Sequence, residues 1–141
     1  MLTLAELKFI QYHRVGRLAT ADAAGVPHVI PVCFVCAENN IYITVDEKPK
    51  TLTPKTLKRL RNIAENTNVA IVVDKYDEDW SRLAWVLLRG HAEILATGNE
   101  HNLAQELLRG RYPQMLEMKL KSLPVIAVRL TKVTSWGNLS T

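Results

Sequence analysis

Lysine and arginine crowd residues 44–62, TVDEKPKTLTPKTLKRLRN, in a pattern suited to capturing an anion. Six cations fall there, Lys48, Lys50, Lys55, Lys58, Arg59 and Arg61, and no acid lies between the first and the last. The stretch reads as the end of a strand, a loop and the start of a helix, with Thr53 as N-cap and Pro54 in the first turn. The unpaired N–H groups and positive dipole end of such a helix attract a phosphate or carboxylate. Lys50 and Lys55 flank the turn into that helix and are the first candidates for a phosphate contact. Taken alone, a basic run is equally well explained as a solvated helix face.

Other residue types with chemical potential are sparse. Cys33 and Cys36 form a C-x-x-C, but residues three apart in a strand point to opposite faces, so they do not share a metal or pair with each other. They read as small buried apolar residues. No nucleophile–base pair, metal cluster or glycine-rich phosphate loop is evident. Trp80 sits beside three acids in YDEDW, where an exposed indole gains nothing from water. Stacking on a flat ring or burial at a subunit interface explains it better. Arg82 is placed to pair with Asp77 or Asp79, or to reach a ligand. Trp85, inside a strand, reads as core.

The bulk numbers bound the class. With 141 residues, 48% of them hydrophobic and 23% charged, the chain suits one domain with a real core. A net charge of +4 favours an anionic ligand over wrapping of nucleic acid. The basic run also lacks interleaved aromatics for base stacking, so nucleic acid is not expected as a partner. No apolar span long enough for a membrane and no signal peptide is seen, and a cytoplasmic location is the expectation.

The elements that must hold these residues follow from periodicity and punctuation. Thr3 to about Tyr12 reads as a helix with a Thr3/Glu6 capping box and a Leu4, Leu7, Ile10 stripe. Strands are expected at Val15–Thr20, Val26–Ala37 and Ile41–Val45, with turns at residues 22–25 and 38–40. A helix from about Pro54 to Asn66 buries Leu57, Leu60 and Ala64, with its cations on the remaining circumference. Strands follow at Val69–Asp74 and Leu83–Ala96, the latter with a bulge at Arg89-Gly90. A helix capped by Asn99 ends at Gly110. Residues 111–123 are ambiguous, and a last strand runs from Val125 to Ser135. Six strands joined mostly by short turns, with peripheral helices, predict a mainly β, six-stranded antiparallel barrel.

That order resembles the pyridoxamine-phosphate-oxidase-like split β-barrel superfamily. RVGRLATADAAGVPHVIPV (14–32) is similar to the family's first hairpin, and LRGHAEIL (88–95) to its long strand. VDEKPK (45–50), RLRNI (59–63) and DKYDEDWSRLAWV (74–86) resemble the deazaflavin-dependent subgroup. The resemblance implies an oxidoreductase that carries FMN or the deazaflavin coenzyme F-420 and moves a hydride to or from a small organic substrate. It implies a homodimer holding the cofactor in a groove at the subunit interface.

It also implies a phosphate-binding passage from strand to helix, where Lys50, Lys55, Lys58 and Arg59 compete for the role. Thr44 would set a hydroxyl near the ribityl or phosphate part, while His28, Pro31 and Val32 would pass the ring. Catalytic side chains are not expected, because the cofactor carries the chemistry. Six cations exceed what one phosphate monoester needs and suit the deazaflavin's phosphodiester and glutamate tail, which favours that cofactor over FMN. The alternative is a non-enzymatic carrier of a flavin, haem or similar planar anion.

Overall fold

The computed structural model describes residues 1–45, 57–118 and 122–140. Helix α1 (Leu4–Tyr12) begins as expected. Thr3 Oγ1 accepts from the Glu6 N–H, and Glu6 Oε1 accepts in return from the Thr3 N–H. Its buried side is Glu6, Phe9 and Ile10, while Leu4 faces solvent.

Among the described residues the strands number seven: β1 (Gly16–Ala21), β2 (Pro27–Val32), β3 (Val35–Ala37), β4 (Asn40–Thr44), β5 (Asn68–Lys75), β6 (Ala84–Leu95) and β7 (Val125–Gly137). They form one antiparallel sheet in the order β2-β1-β5-β6-β7-β4-β3. The seventh strand arises because the expected strand over 26–37 breaks at Cys33 and Phe34. β2 pairs with β1 at one edge of the sheet, and β3 pairs with β4 at the other. Two residues reach only about 7 Å. The sheet must therefore curl until its two edges adjoin, which makes a split barrel with its seam at Cys33–Phe34.

Curling puts Leu18, Ile41, Ile43, Ile71, Val86, Leu88 and Ile126 inside, with Phe9 and Ile10 of α1 in the same cluster. A second cluster lies outside the sheet, where Tyr42, Val125 and Ala127 meet Ala104 and Leu108 of α3 (Asn99–Arg111). Hence β4 and the start of β7 are buried on both faces and read as continuous apolar runs, without alternation.

The expected bulge is present, with a register shift between Arg89 and Gly90. A Cβ on Gly90 would lie 2.1 Å from the Arg129 carbonyl oxygen, so only glycine allows β7 to approach this closely.

Three local readings are corrected. Helix α2 spans Lys58–Glu65 with Leu57 as its N-cap, so it starts four residues later than the Pro54 start expected; Thr53 and Pro54 lie outside the described residues. Its buried positions are Arg59, Leu60, Asn62 and Ile63, while Ala64 is exposed. Helix α3 is capped by Gly98 and runs through Gly110, since one glycine costs a helix only about 1 kcal/mol. Trp85 is not core: β6 turns it to the outer face, opposite Trp136 and beside Arg17, Asp74 and Leu87. Among the described residues, no helix is long and apolar enough to cross a membrane.

Candidate functional site

A cavity of about 370 Å³ opens where the barrel splits, lined by Val15, Ile30, Pro31, Val32, Cys33, Thr44 and Arg59. That volume sits at the small end of ligand sites, roughly 300–1,000 Å³. Its walls come from both sides of the seam. Val15 precedes β1, residues 30–33 end β2 and enter the break, Thr44 ends β4, and Arg59 is the second residue of α2. Ile30 and Val32 alternate inward along β2 and give the cavity an apolar flank.

Among the described residues, Arg59 is its one basic wall. The residue is 6% exposed, and its Nε has no hydrogen-bond partner among the described residues. A buried guanidinium lacking an acceptor is costly, and an anion entering the cavity would relieve that cost. Thr44, 4% exposed, accepts a 3.0 Å hydrogen bond from Gln105 Nε2, which leaves its hydroxyl proton for another acceptor. Gln105 Nε2 also reaches the Leu123 carbonyl at 3.2 Å, so α3 fixes the orientation of Thr44.

A polar row continues away from Arg59 along α2. Asn62, one helical turn on, donates to Thr20 Oγ1 at 3.0 Å, while its Oδ1 has no partner among the described residues. Thr20 is the register partner of His28, whose buried Nδ1 likewise has no partner among the described residues. His28 shares the inward face of β2 with Ile30 and Val32 but does not line the cavity.

The cavity thus gathers Pro31, Val32, Thr44 and Arg59 of the residues expected from sequence. Lys58 turns elsewhere, with its Nζ 3.8 Å from Asp22 Oδ2 in the β1–β2 turn. Arg82 Nε lies 3.3 Å from Asp77 Oδ2, and Trp80, 70% exposed, stands on the same short 3-10 turn, Trp80–Arg82. Neither lines the cavity. Lys50 and Lys55 lie outside the described residues.

Val15, Ile30 and Cys33 were not expected as wall residues, and Arg59 was expected as one of four cations competing for the phosphate, on the part of the helix outside its buried stripe. The signal available was Arg59, Asn62 and Ile63 at i, i+3 and i+4, which put a cation and an amide on the packed face of α2.

Comparison with known proteins bears on this arrangement. A family profile described as pyridoxamine 5'-phosphate oxidase matches residues 2–137. A 5a,11a-dehydrotetracycline/5a,11a-dehydrooxytetracycline reductase of Streptomyces rimosus is 32% identical over 111 residues, covering 76% of this chain and 75% of its own. Among solved structures, a conserved hypothetical protein from Mycobacterium tuberculosis superposes with a TM-score of 0.77 at 18% identity, over 97% of this chain and 86% of that one. The heme storage protein HutZ from Vibrio cholerae superposes with a TM-score of 0.73 at 15% identity, over 92% and 89%. These two likenesses bear on the fold.

Proposed function

The chain belongs to the pyridoxamine 5'-phosphate oxidase family, and from that premise we propose that it is an oxidoreductase that seats a flavin-type cofactor in the seam cavity. The observation that carries this reading is Arg59, a buried cation with an unpartnered Nε on the wall of a cleft otherwise mostly apolar. The donor set fits such a cofactor. Arg59 would pair with phosphate oxygens, Thr44 would offer its hydroxyl beside them, and Ile30, Pro31 and Val32 would face the ring. Once bound, the cofactor supplies hydride transfer, while the protein holds and orients it and keeps water from the apolar flank.

The deazaflavin coenzyme F-420 is favoured over FMN, because the basic run around Arg59 matches a polyanionic tail better than a single phosphate. A small organic substrate is expected; the Streptomyces relative is named as a reductase of dehydrotetracycline and dehydrooxytetracycline. The active unit is proposed to be a homodimer that completes the groove, with the exposed Trp80 indole as a contact for the second copy or the ring. Light scattering on purified protein checks the stoichiometry.

A second reading, a carrier for a planar anion, draws on His28 of the cavity strand β2, whose Nδ1 has no partner among the described residues and is a ligand type suited to a porphyrin iron. Titration of purified protein with the deazaflavin and with FMN at several salt concentrations tests the proposal. The deazaflavin should bind more tightly, and its affinity should fall as salt rises. Salt-independent binding of FMN alone would overturn the choice of cofactor, and binding of neither would overturn the site. Reduced cofactor offered to candidate acceptors separates the enzyme, which oxidises it, from a carrier, which does not.

A further inference from the structure

Tyr112 and Arg111 stand just outside the cavity, at the break that creates it. The Tyr112 hydroxyl accepts from the Phe34 N–H at 3.0 Å and from Arg111 Nε at 3.0 Å. Its single proton is shared between two carbonyls, Arg14 O at 2.9 Å and Phe34 O at 2.8 Å. Arg14 immediately precedes Val15, and Phe34 immediately follows Cys33, so one hydroxyl grips the backbone beside both walls of the cavity.

Arg111 is held in turn by main-chain oxygens. It donates to Gln11 O at 2.9 Å, and to Ile10 O and His13 O at 3.1 Å each, at the C-terminal end of α1. Its guanidinium lies 5.0 Å from the Phe34 ring centroid and 5.4 Å from that of Tyr112. Arg14 closes the loop by donating to the Arg111 carbonyl at 2.5 Å.

Phe34 occupies the point where the chain leaves β2 and has not yet joined β3, so neither neighbouring strand serves its N–H and C=O. A side chain 78 residues away serves both. Buried peptide groups need partners, and here the partner also fixes where the crossing sits.

We propose that Tyr112, oriented by Arg111, is a positioning residue for the cofactor site: it sets the gap between Val15 and residues 32–33 and so the width of the cavity mouth. This rests on the assignment of the cavity above. Neither residue touches the ligand; their effect passes through the backbone.

Tyr112→Phe keeps the buried ring and removes only the hydroxyl. The Phe34 amide should then exchange with deuterium faster, while core amides such as Ile71 keep their protection. Cofactor affinity should fall roughly tenfold, the scale of one well-placed hydrogen bond. Arg111→Lys, which keeps the charge but cannot hold the three carbonyls and the hydroxyl together, should show the same loss to a lesser degree, and it serves if Tyr112→Phe fails to fold.

Ser135→Ala is the control for stability alone. It removes a 2.6 Å hydrogen bond to Glu6 Oε2 that joins β7 to α1, neither residue lining the cavity, and should lower the melting temperature without changing affinity. If native protein binds cofactor and Tyr112→Phe binds it equally well despite a fast Phe34 amide, the positioning role is wrong and the site stands. If native protein binds neither FMN nor the deazaflavin, the site assignment falls and the positioning role falls with it.

Discussion

Arg59 and Arg129 are both tucked against the barrel, and their surroundings differ in kind. Arg129, on β7, is saturated. It donates to both oxygens of Glu100, to Glu93 Oε2 through Nε and Nη2, and to Asn40 Oδ1. Tyr42 adds its hydroxyl to Glu100 at 2.6 Å. Hydrogen bonds from Arg129 and then Tyr42 pull the Glu100 carboxyl down to about 2. The Tyr42 phenol is pushed up to about 12, first by burial and then by its bond to Glu100. Arg59, by contrast, is more deeply buried and has an idle Nε. A cation whose donors are all used ties α3 to β7. A cation buried with a donor unused among the described residues suits the anion site proposed for it.

The contrast breaks most sharply on substitution. Arg59→Met should weaken binding of the phosphate-bearing cofactor by about 100-fold, as expected when one partner of a buried charged contact is lost. The melting temperature of the cofactor-free protein should hold or rise, because a costly unpaired group is gone. Charge reversal at both Lys50 and Lys55 should come next, lowering deazaflavin affinity about tenfold with a shallower salt dependence, since each is proposed to hold part of an extended anion.

Arg129→Met should do the reverse. It should cost about 1–2 kcal/mol in denaturant unfolding, at the modest end for charged hydrogen bonds because the group is about a third exposed, and leave affinity alone. An affinity loss in Arg129→Met equal to that in Arg59→Met would erase the distinction.

Acid separates the two regions without mutation. Glu100 in the folded state sits near 2, below the ordinary carboxylate value near 4.3. Its contribution is therefore fully present above the unfolded value and is lost as pH falls through the window from about 4.5 to 2. Stability should fall with acid across that range, and Glu100→Gln should flatten the slope in pH-dependent urea melts. The smallest effect belongs to Lys58→Gln. Its half-exposed pair with Asp22, 3.8 Å long, contributes little to stability, and binding measured by fluorescence should change less than about threefold.

The same contrast explains what could be read ahead of the structure. The Thr3/Glu6 box, the turn around Asp22–Gly25 and the Arg89-Gly90 bulge are written in neighbouring residues, so they were legible. The break at Cys33–Phe34 was not, because it is imposed by barrel closure and served by Tyr112 from 78 residues away. Trp85 was misplaced because a strand buried on one face and half-covered on the other has apolar residues on both. Thr44, Pro31 and Val32 were placed by resemblance and do line one cavity. Arg59 entered the list as one cation among several. Its standing apart from Lys58 depends on which face of α2 packs inward, and the cation-rich run masked that face.

The most direct test of Arg59 as the anion anchor is a thermodynamic cycle by calorimetric titration. Native protein and Arg59→Met are each titrated with the intact deazaflavin coenzyme and with its phosphate-free chromophore. Removing the phosphate and the tail it carries should cost native protein about 100-fold more in affinity than it costs Arg59→Met. An equal loss in both proteins would place the phosphate elsewhere and contradict the account.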